Sequence, residues 1–391
     1  AQGIRPSRLF RARRMRFVMQ VMRTPETLPA GAGHGTAREG RGPSGLDLPQ
    51  SRGEQHMRIA VYGAGSIGCY VGGRLLAAGA DAVLIVRQPM AERLCLQGLR
   101  LSDYRGYAQA LPPGRVPWSV EADPVSEADL VLVTVKSAAT ASVAATLAGR
   151  LKPGAVVLSL QNGLHNADVL AAALPGQTVL AGMVPFNVVQ TADGRFHQGS
   201  EGELTAEQNV ALYHALPAFS GAGLPLTLAP DMRAVQWAKL LLNLNNPVNA
   251  LSGLPLKAEL EQRNYRRVLA AAQREALALL AQRQQALAKL TPLPPRRIPG
   301  LLELPDWVFR LAAQRMLAID PEARSSMWED LEAGRPTEID YINGEVVALA
   351  DTLGQAAPVN RALVRLIRAA EAGGRRDFSG RELFTAVHEA L

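Results

Sequence analysis

From residue 57 onward, short apolar runs alternate with segments of helical period. The stretch MRIAVYGAGSIGCYVGGRLLAAGADAVLIVR gives an apolar run, a glycine-rich turn, a helical segment and a second apolar run, which is one strand–helix–strand unit. Further buried strands are expected at 130–135, 155–160 and 178–184, with helices over 138–151 and 165–174 between them. Strands that alternate with helices imply a parallel sheet covered on both faces. Beyond about Leu228 the strand pattern gives way to helical periods over 232–251, 257–290, 301–317, 339–353 and 360–371, interrupted by the proline-rich TPLPPRRIPG. The expected fold class is therefore α/β: a parallel-sheet domain over 57–228, then an all-helical domain over 229–391. No repeat at a fixed period is found.

Residues 1–56 show neither period and are expected to be a disordered extension, with Met57 as the start of the folded chain. They hold ten arginines against four acidic residues, so +6 of the net charge of +7 lies there and the rest is almost neutral. That balance argues against nucleic acid as a partner. The arginine-rich start lacks a secretory apolar region and cleavage site, and no run approaches the roughly 18 to 20 apolar residues of a membrane span. Cys69 and Cys95 are the only cysteines, and both sit in apolar segments, so neither a disulfide framework nor a metal site is indicated. A soluble, cytoplasmic protein is expected.

Gly63-Ala64-Gly65-Ser66-Ile67-Gly68 follows a strand and opens a helix. In that context the first glycine makes a tight turn, the second lets the backbone approach a pyrophosphate, and the third lets helix and strand pack closely. The pattern predicts a Rossmann-type dinucleotide site. At the end of the second strand an acidic residue would select NAD; Arg87 stands there instead, which favours the 2′-phosphate of NADPH. Two further strand ends, at Lys136-Ser137 and Gln161-Asn162-Gly163, place polar groups where the nicotinamide half should lie.

The segment MRAVQWAKLLLNLNNPVNALSG combines an apolar stripe with Lys239, Asn243, Asn246 and Asn249. Lys239 and Asn243 are four apart and share a helix face. A polar stripe facing solvent is the alternative, opposed by Leu240, Leu241 and Leu242 in the same turns. Downstream, Ser326 and Glu338 flank a turn at Gly334-Arg335-Pro336, and Thr337 is placed to cap the helix that follows. Spacing alone leaves open whether Glu338 acts chemically or only meets the helix dipole.

Taken together, these motifs resemble the ketopantoate reductase (2-dehydropantoate 2-reductase) family over essentially all of 57–391. The resemblance implies NADPH-dependent reduction of ketopantoate to pantoate, a step toward pantothenate and coenzyme A. It also implies roles: Arg87, Lys136 and Asn162 at the cofactor, Lys239 as proton donor, Asn243 as a substrate amide, Ser326 near the substrate carboxylate and Glu338 at the cofactor and substrate hydroxyl. Two departures touch the substrate pocket. The segment after Asn243 reads as two residues longer than the common pattern, so the second substrate amide is Asn249 or Asn246, with Asn249 preferred; and LPLKAEL stands where the family tends to place another asparagine. A reductase of the same fold acting on another 2-oxo acid or ketone remains the alternative, with a non-catalytic NADP(H)-binding regulatory protein behind it. A homodimer through the helical half stays open.

Overall fold

The structure is a computed structural model and describes residues 57–191, 193–314, 317 and 320–389. The expectation for residues 1–56 lies outside them. In chain order the elements are β1 (Ile59–Tyr62), α1 (Ser66–Ala77), β2 (Ala82–Ile85), α2 (Gln88–Gln97), β3 (Leu99–Asp103), β4 (Ala108–Leu111), β5 (Trp118–Ser119), β6 (Leu130–Val133), α3 (Thr140–Leu147), β7 (Val156–Ser159), α4 (Asn166–Ala173), β8 (Thr178–Met183), β9 (Val188–Gln190), β10 (Phe196–Gln198), β11 (Leu204–Glu207), α5 (Leu216–Gly221) and β12 (Leu226–Ala229). Helices follow: α6 (Met232–Asn243), α7 (Asn246–Ser252), α8 (Leu256–Leu260), α9 (Arg263–Gln282), α10 (Ile298–Leu302), α11 (Asp306–Ala312), α12 (Ser326–Glu332), α13 (Asn343–Thr352), α14 (Pro358–Glu371) and α15 (Gly380–His388). An α/β unit followed by a helical one is the architecture the sequence pattern implies.

The main sheet runs β12-β11-β8-β7-β6-β1-β2-β5, parallel except where β11 meets β8. Chain direction across the sheet reverses beside β1, between β6 and β2, and the loops after β1, β6 and β7 open at that edge, where ligands of such sheets bind. Strand residues alternate between two cores. Ile59, Val61, Leu84, Leu132 and Leu158 join Tyr70, Phe196 and Phe219 in one; Ala60, Val83, Val131, Val133 and Val157 join Val143, Leu147 and Leu170 in the other.

Two expectations are corrected. The faces of the sheet are not both covered by helices alone: α1 shares its side with a second sheet, β4-β3-β10-β9, whose short strands carry too few apolar residues in alternation to stand out. The long helical periods also break. The predicted helix over 232–251 stops after Asn243 and resumes at Asn246, because Pro247 in the first turn of α7 cannot donate to the preceding turn. The predicted 257–290 divides into α8 and α9, and 301–317 divides at Pro305.

The helical part is organised around α9. Its fully buried Arg266 donates to the carbonyls of Leu260, Leu302 and Leu304 at 2.8–2.9 Å and pairs with Asp306 at 2.9 Å, tying α8, α10 and α11 together. A buried charge is tolerated only with such complete pairing.

Candidate active site

The glycine loop divides its work among three positions. Gly63 sits at φ +82°, and a Cβ there would lie 2.1 Å from Val135 Cγ1. A Cβ on Gly68 would lie 2.4 Å from Thr134 Oγ1 and 3.2 Å from Val61 Cγ1, so this glycine allows α1 to press against the strands. At Gly65 the added atom would meet only Gly63 O at 4.0 Å, which leaves open room in front of the helix. Gly65 is also the N-cap of α1 and offers no side-chain acceptor to the first-turn N–H groups. Open space before unsatisfied N–H groups fits a pyrophosphate. Thr134, which the sequence reading missed, donates to Gly63 O at 3.0 Å and to Tyr62 O at 3.2 Å and holds the turn in place.

Arg87 follows β2 as the N-cap of α2, exposed, with no side-chain partner among the described residues. Lys136 is positioned differently from its expectation. Its ammonium forms an ion pair with Asp330 of α12, which Arg335 also meets at 3.1 Å, so it does not point freely at a cofactor. Neighbouring Glu329 is pushed up to about 7 by burial and by Asp330.

The ends of β6 and β7 are fastened by a network of hydroxyls and amides. Ser137 Oγ donates to Asn162 O at 2.9 Å; Gln161 Nε2 donates to Thr140 Oγ1 at 2.8 Å; Thr140 Oγ1 donates to Asn166 Oδ1 at 2.7 Å. Glu338 reaches this network from the helical part, accepting from Asn162 Nδ2 at 3.1 Å. Thr337 serves the local turn, where its Oγ1 accepts from Ile339 N at 3.3 Å and donates to Glu371 at 2.7 Å.

Asp231 caps α6 by accepting from Ala234 N at 2.9 Å, which sets the helix pointing across the end of β8. Lys239 and Asn243 on this helix, Asn162 after β7, and Met183 and Tyr341 line one cleft. Lys239 Nζ donates to Pro185 O at 3.2 Å, and burial pulls its pKa down to about 8. Asn243 is half-buried with no side-chain partner among the described residues. Sequence reasoning thus brings Lys239, Asn243, Asn162 and Glu338 to one place.

It does not bring Asn249 there. Asn249 is fully buried; its Nδ2 donates to Leu254 O at 2.9 Å and Glu259 at 3.3 Å, and its Oδ1 accepts from Ser325 N at 2.9 Å. Every group of that amide is engaged by the protein, against the preference for Asn249 as a substrate amide, and the half-buried Asn246 is not among the residues that line the cleft either. Ser326 is exposed at the start of α12, where Ser325 is the residue that caps the helix.

The first half of the chain, residues 59–209, matches the ketopantoate reductase PanE/ApbA model, and residues 231–371 match the C-terminal model of the same family. The chain belongs to the ketopantoate reductase family. It is 34% identical over 328 residues to a 2-dehydropantoate 2-reductase of Halobacterium salinarum, covering 81% of this chain and 100% of that one. A PanE/ApbA family ketopantoate reductase from Ralstonia eutropha JMP134 superposes with a TM-score of 0.68 at 32% identity, over 81% of this chain and 99% of that one. A D-mandelate dehydrogenase in complex with NADH and anilino(oxo)acetate shares the fold at 20% identity and a TM-score of 0.67, over 81% and 99% of the two chains. Members of the family are oxidoreductases acting on a CH–OH group, and so is this chain. Among the described residues no helix is long and apolar enough to cross a membrane.

Proposed function

We propose that this chain reduces a 2-oxo acid with NADPH, and that the substrate is 2-dehydropantoate (ketopantoate), giving pantoate. The observation that carries the reading is Lys239: an ammonium held in the cleft beside Asn162 and Asn243, with a single carbonyl partner and a pKa near 8. A group poised near neutrality serves as proton donor.

The glycine loop and the N-terminus of α1 would hold the pyrophosphate, and Arg87 would accept a 2′-phosphate. When bound, the nicotinamide supplies the hydride for the carbonyl carbon. Lys239 donates a proton to the developing alkoxide and, while charged, stabilises it electrostatically. Asn243, which lines the cleft, holds the substrate. Glu338, held by Ser137 and by the cleft residue Asn162, would meet the cofactor or the substrate hydroxyl.

The experiment follows NADPH absorbance with the full chain and ketopantoate, with NADH and a panel of other 2-oxo acids in parallel. Turnover with ketopantoate and NADPH above all other pairs is the expected result. Turnover confined to a different 2-oxo acid would move the substrate assignment, a reading favoured by the engagement of Asn249 away from the cleft. Oxidation with none of the panel would overturn the proposal.

A further inference from the structure

One residue of the cleft has no role in the account above. Gln236 lies on α6 three residues before Lys239 and seven before Asn243, so the three side chains share one helix face. It is 9% exposed and lines the same cleft. The other buried glutamines described here all have hydrogen-bond partners: Gln161 meets Thr140 and Ser159, Gln198 meets Ser200 O, and Gln273 meets Leu241 O. Gln236 has none among the described residues, yet neither of its amide atoms is sealed from the cleft. Its amide is left open to pair with a molecule bound in the cleft.

We propose that Gln236 is a substrate-binding and specificity-determining residue whose amide hydrogen-bonds a hydroxyl of the substrate two carbons from the carbonyl that is reduced. The inference rests on the reductase reading given above. Gln236 and Lys239 share a helix face and line the same cleft, so a substrate whose carbonyl meets Lys239 can present a nearby hydroxyl to Gln236. The amide is neutral and both donates and accepts, which suits a hydroxyl. Lys239 takes the reacting oxygen, and Asn243 lies one turn further on. Met183, Leu240 and Ile342 also line the cleft and offer apolar contacts for alkyl branches.

The test compares ketopantoate with 3,3-dimethyl-2-oxobutanoate, which keeps the carbon skeleton and lacks the hydroxyl, using the full chain and NADPH. The wild-type chain is expected to favour the hydroxylated acid by at least about tenfold in kcat/KM, since an analogue without the hydroxyl leaves Gln236 unpaired. In Gln236→Met that preference should shrink to within about twofold, mainly through a higher KM for the hydroxylated acid. NADPH fluorescence titration reports whether each variant is folded; if Gln236→Met does not bind NADPH, Gln236→Asn, which withdraws the amide by one methylene, carries the comparison and should also lower the preference. A wild-type chain with no preference, or a variant that binds NADPH and keeps the full preference, overturns the role of Gln236 while leaving the reductase reading in place. Absence of turnover with both acids and the wider panel overturns both.

Discussion

Glu338 accepts from the backbone N–H of Ser137 at 3.0 Å and lies 2.9 Å from its hydroxyl, whose one proton it shares with Asn162 O, across 201 residues of sequence. A carboxylate from the helical part thus completes the hydrogen bonding of a strand end in the sheet. Bonds to an ionised acceptor contribute about 2 kcal/mol each. Glu338→Ala is expected to lower kcat/KM by about 10- to 100-fold and to lower the melting temperature, measured by steady-state kinetics and thermal unfolding. Unchanged kinetics would remove Glu338 from the site.

The proton carried by Lys239 sets a pH limb. The ammonium is the acid for reduction, and its pKa lies near 8, so kcat/KM for reduction should hold below that pH and fall above it. Lys239→Met should lose about 10²- to 10⁴-fold in kcat/KM and keep its affinity for NADPH. A profile flat from pH 7 to pH 10 in the wild-type chain would contradict the assignment.

Two glycines of one loop should respond differently to the same change. Gly65→Ala meets nothing closer than 4.0 Å, so the chain should fold with an unaltered melting temperature while its affinity for NADPH drops at least about tenfold, because the methyl occupies the pyrophosphate's place. Gly63→Ala adds an atom 2.1 Å from Val135 Cγ1 at a positive φ, and it should lose stability on the order of 1–3 kcal/mol. Parallel melting curves and NADPH titrations separate the two.

Arg87 has no side-chain partner among the described residues that would compensate for its loss. Arg87→Ala is expected to raise the KM for NADPH by about tenfold, the worth of a charge-assisted contact, and to leave the KM for NADH nearly unchanged. Equal effects on both cofactors would show that the guanidinium does not read the 2′-phosphate.

Glu259 provides a test of stability. Burial pushes its carboxyl up to about 8, against hydrogen bonds from Asn245 and Asn249 and the charge of Arg266, which act to lower it. Its folded pKa is above the unfolded value of 4.5, so the folded state binds the extra proton between those values. The stabilisation is full below about pH 4.5 and is lost as pH rises through 8. Thermal unfolding should therefore show the wild-type chain losing stability from pH 5 to pH 8, and Glu259→Gln should flatten that slope.

The parts of this fold legible in sequence are those where one physical rule acts alone. Ile59–Tyr62 and Leu130–Val133 are apolar on both faces because both faces are covered, and the glycine spacing at 63, 65 and 68 is demanded by backbone approach. The second sheet was not legible: Ala108–Leu111 is exposed or half-exposed along its whole length, and its pairing with Leu99–Asp103 is a tertiary fact. The same holds for the asparagines. Asn243 and Asn249 read alike as amides in an apolar segment, and only the break before Asn246 turns one toward the cleft and the other toward Glu259. Pro247 marked that break; its effect on the direction of the next helix was not readable from spacing.

That elbow between α6 and α7 is tied to the sheet through α12. Asn249 holds the N–H of Ser325, and Ser325 Oγ reaches Asn246 O at 3.3 Å, so α12 is pinned to the elbow; α12 carries Asp330, which grips Lys136 on the sheet. The joints are unequal in strength. The amide joint is sealed from water, whereas the side chain of Lys136 is 44% exposed and its ion pair is screened. The weakest link between the helix that carries Lys239 and the sheet is therefore an exposed ion pair, while the contacts that bind α7 to α12 lie in the dry interior.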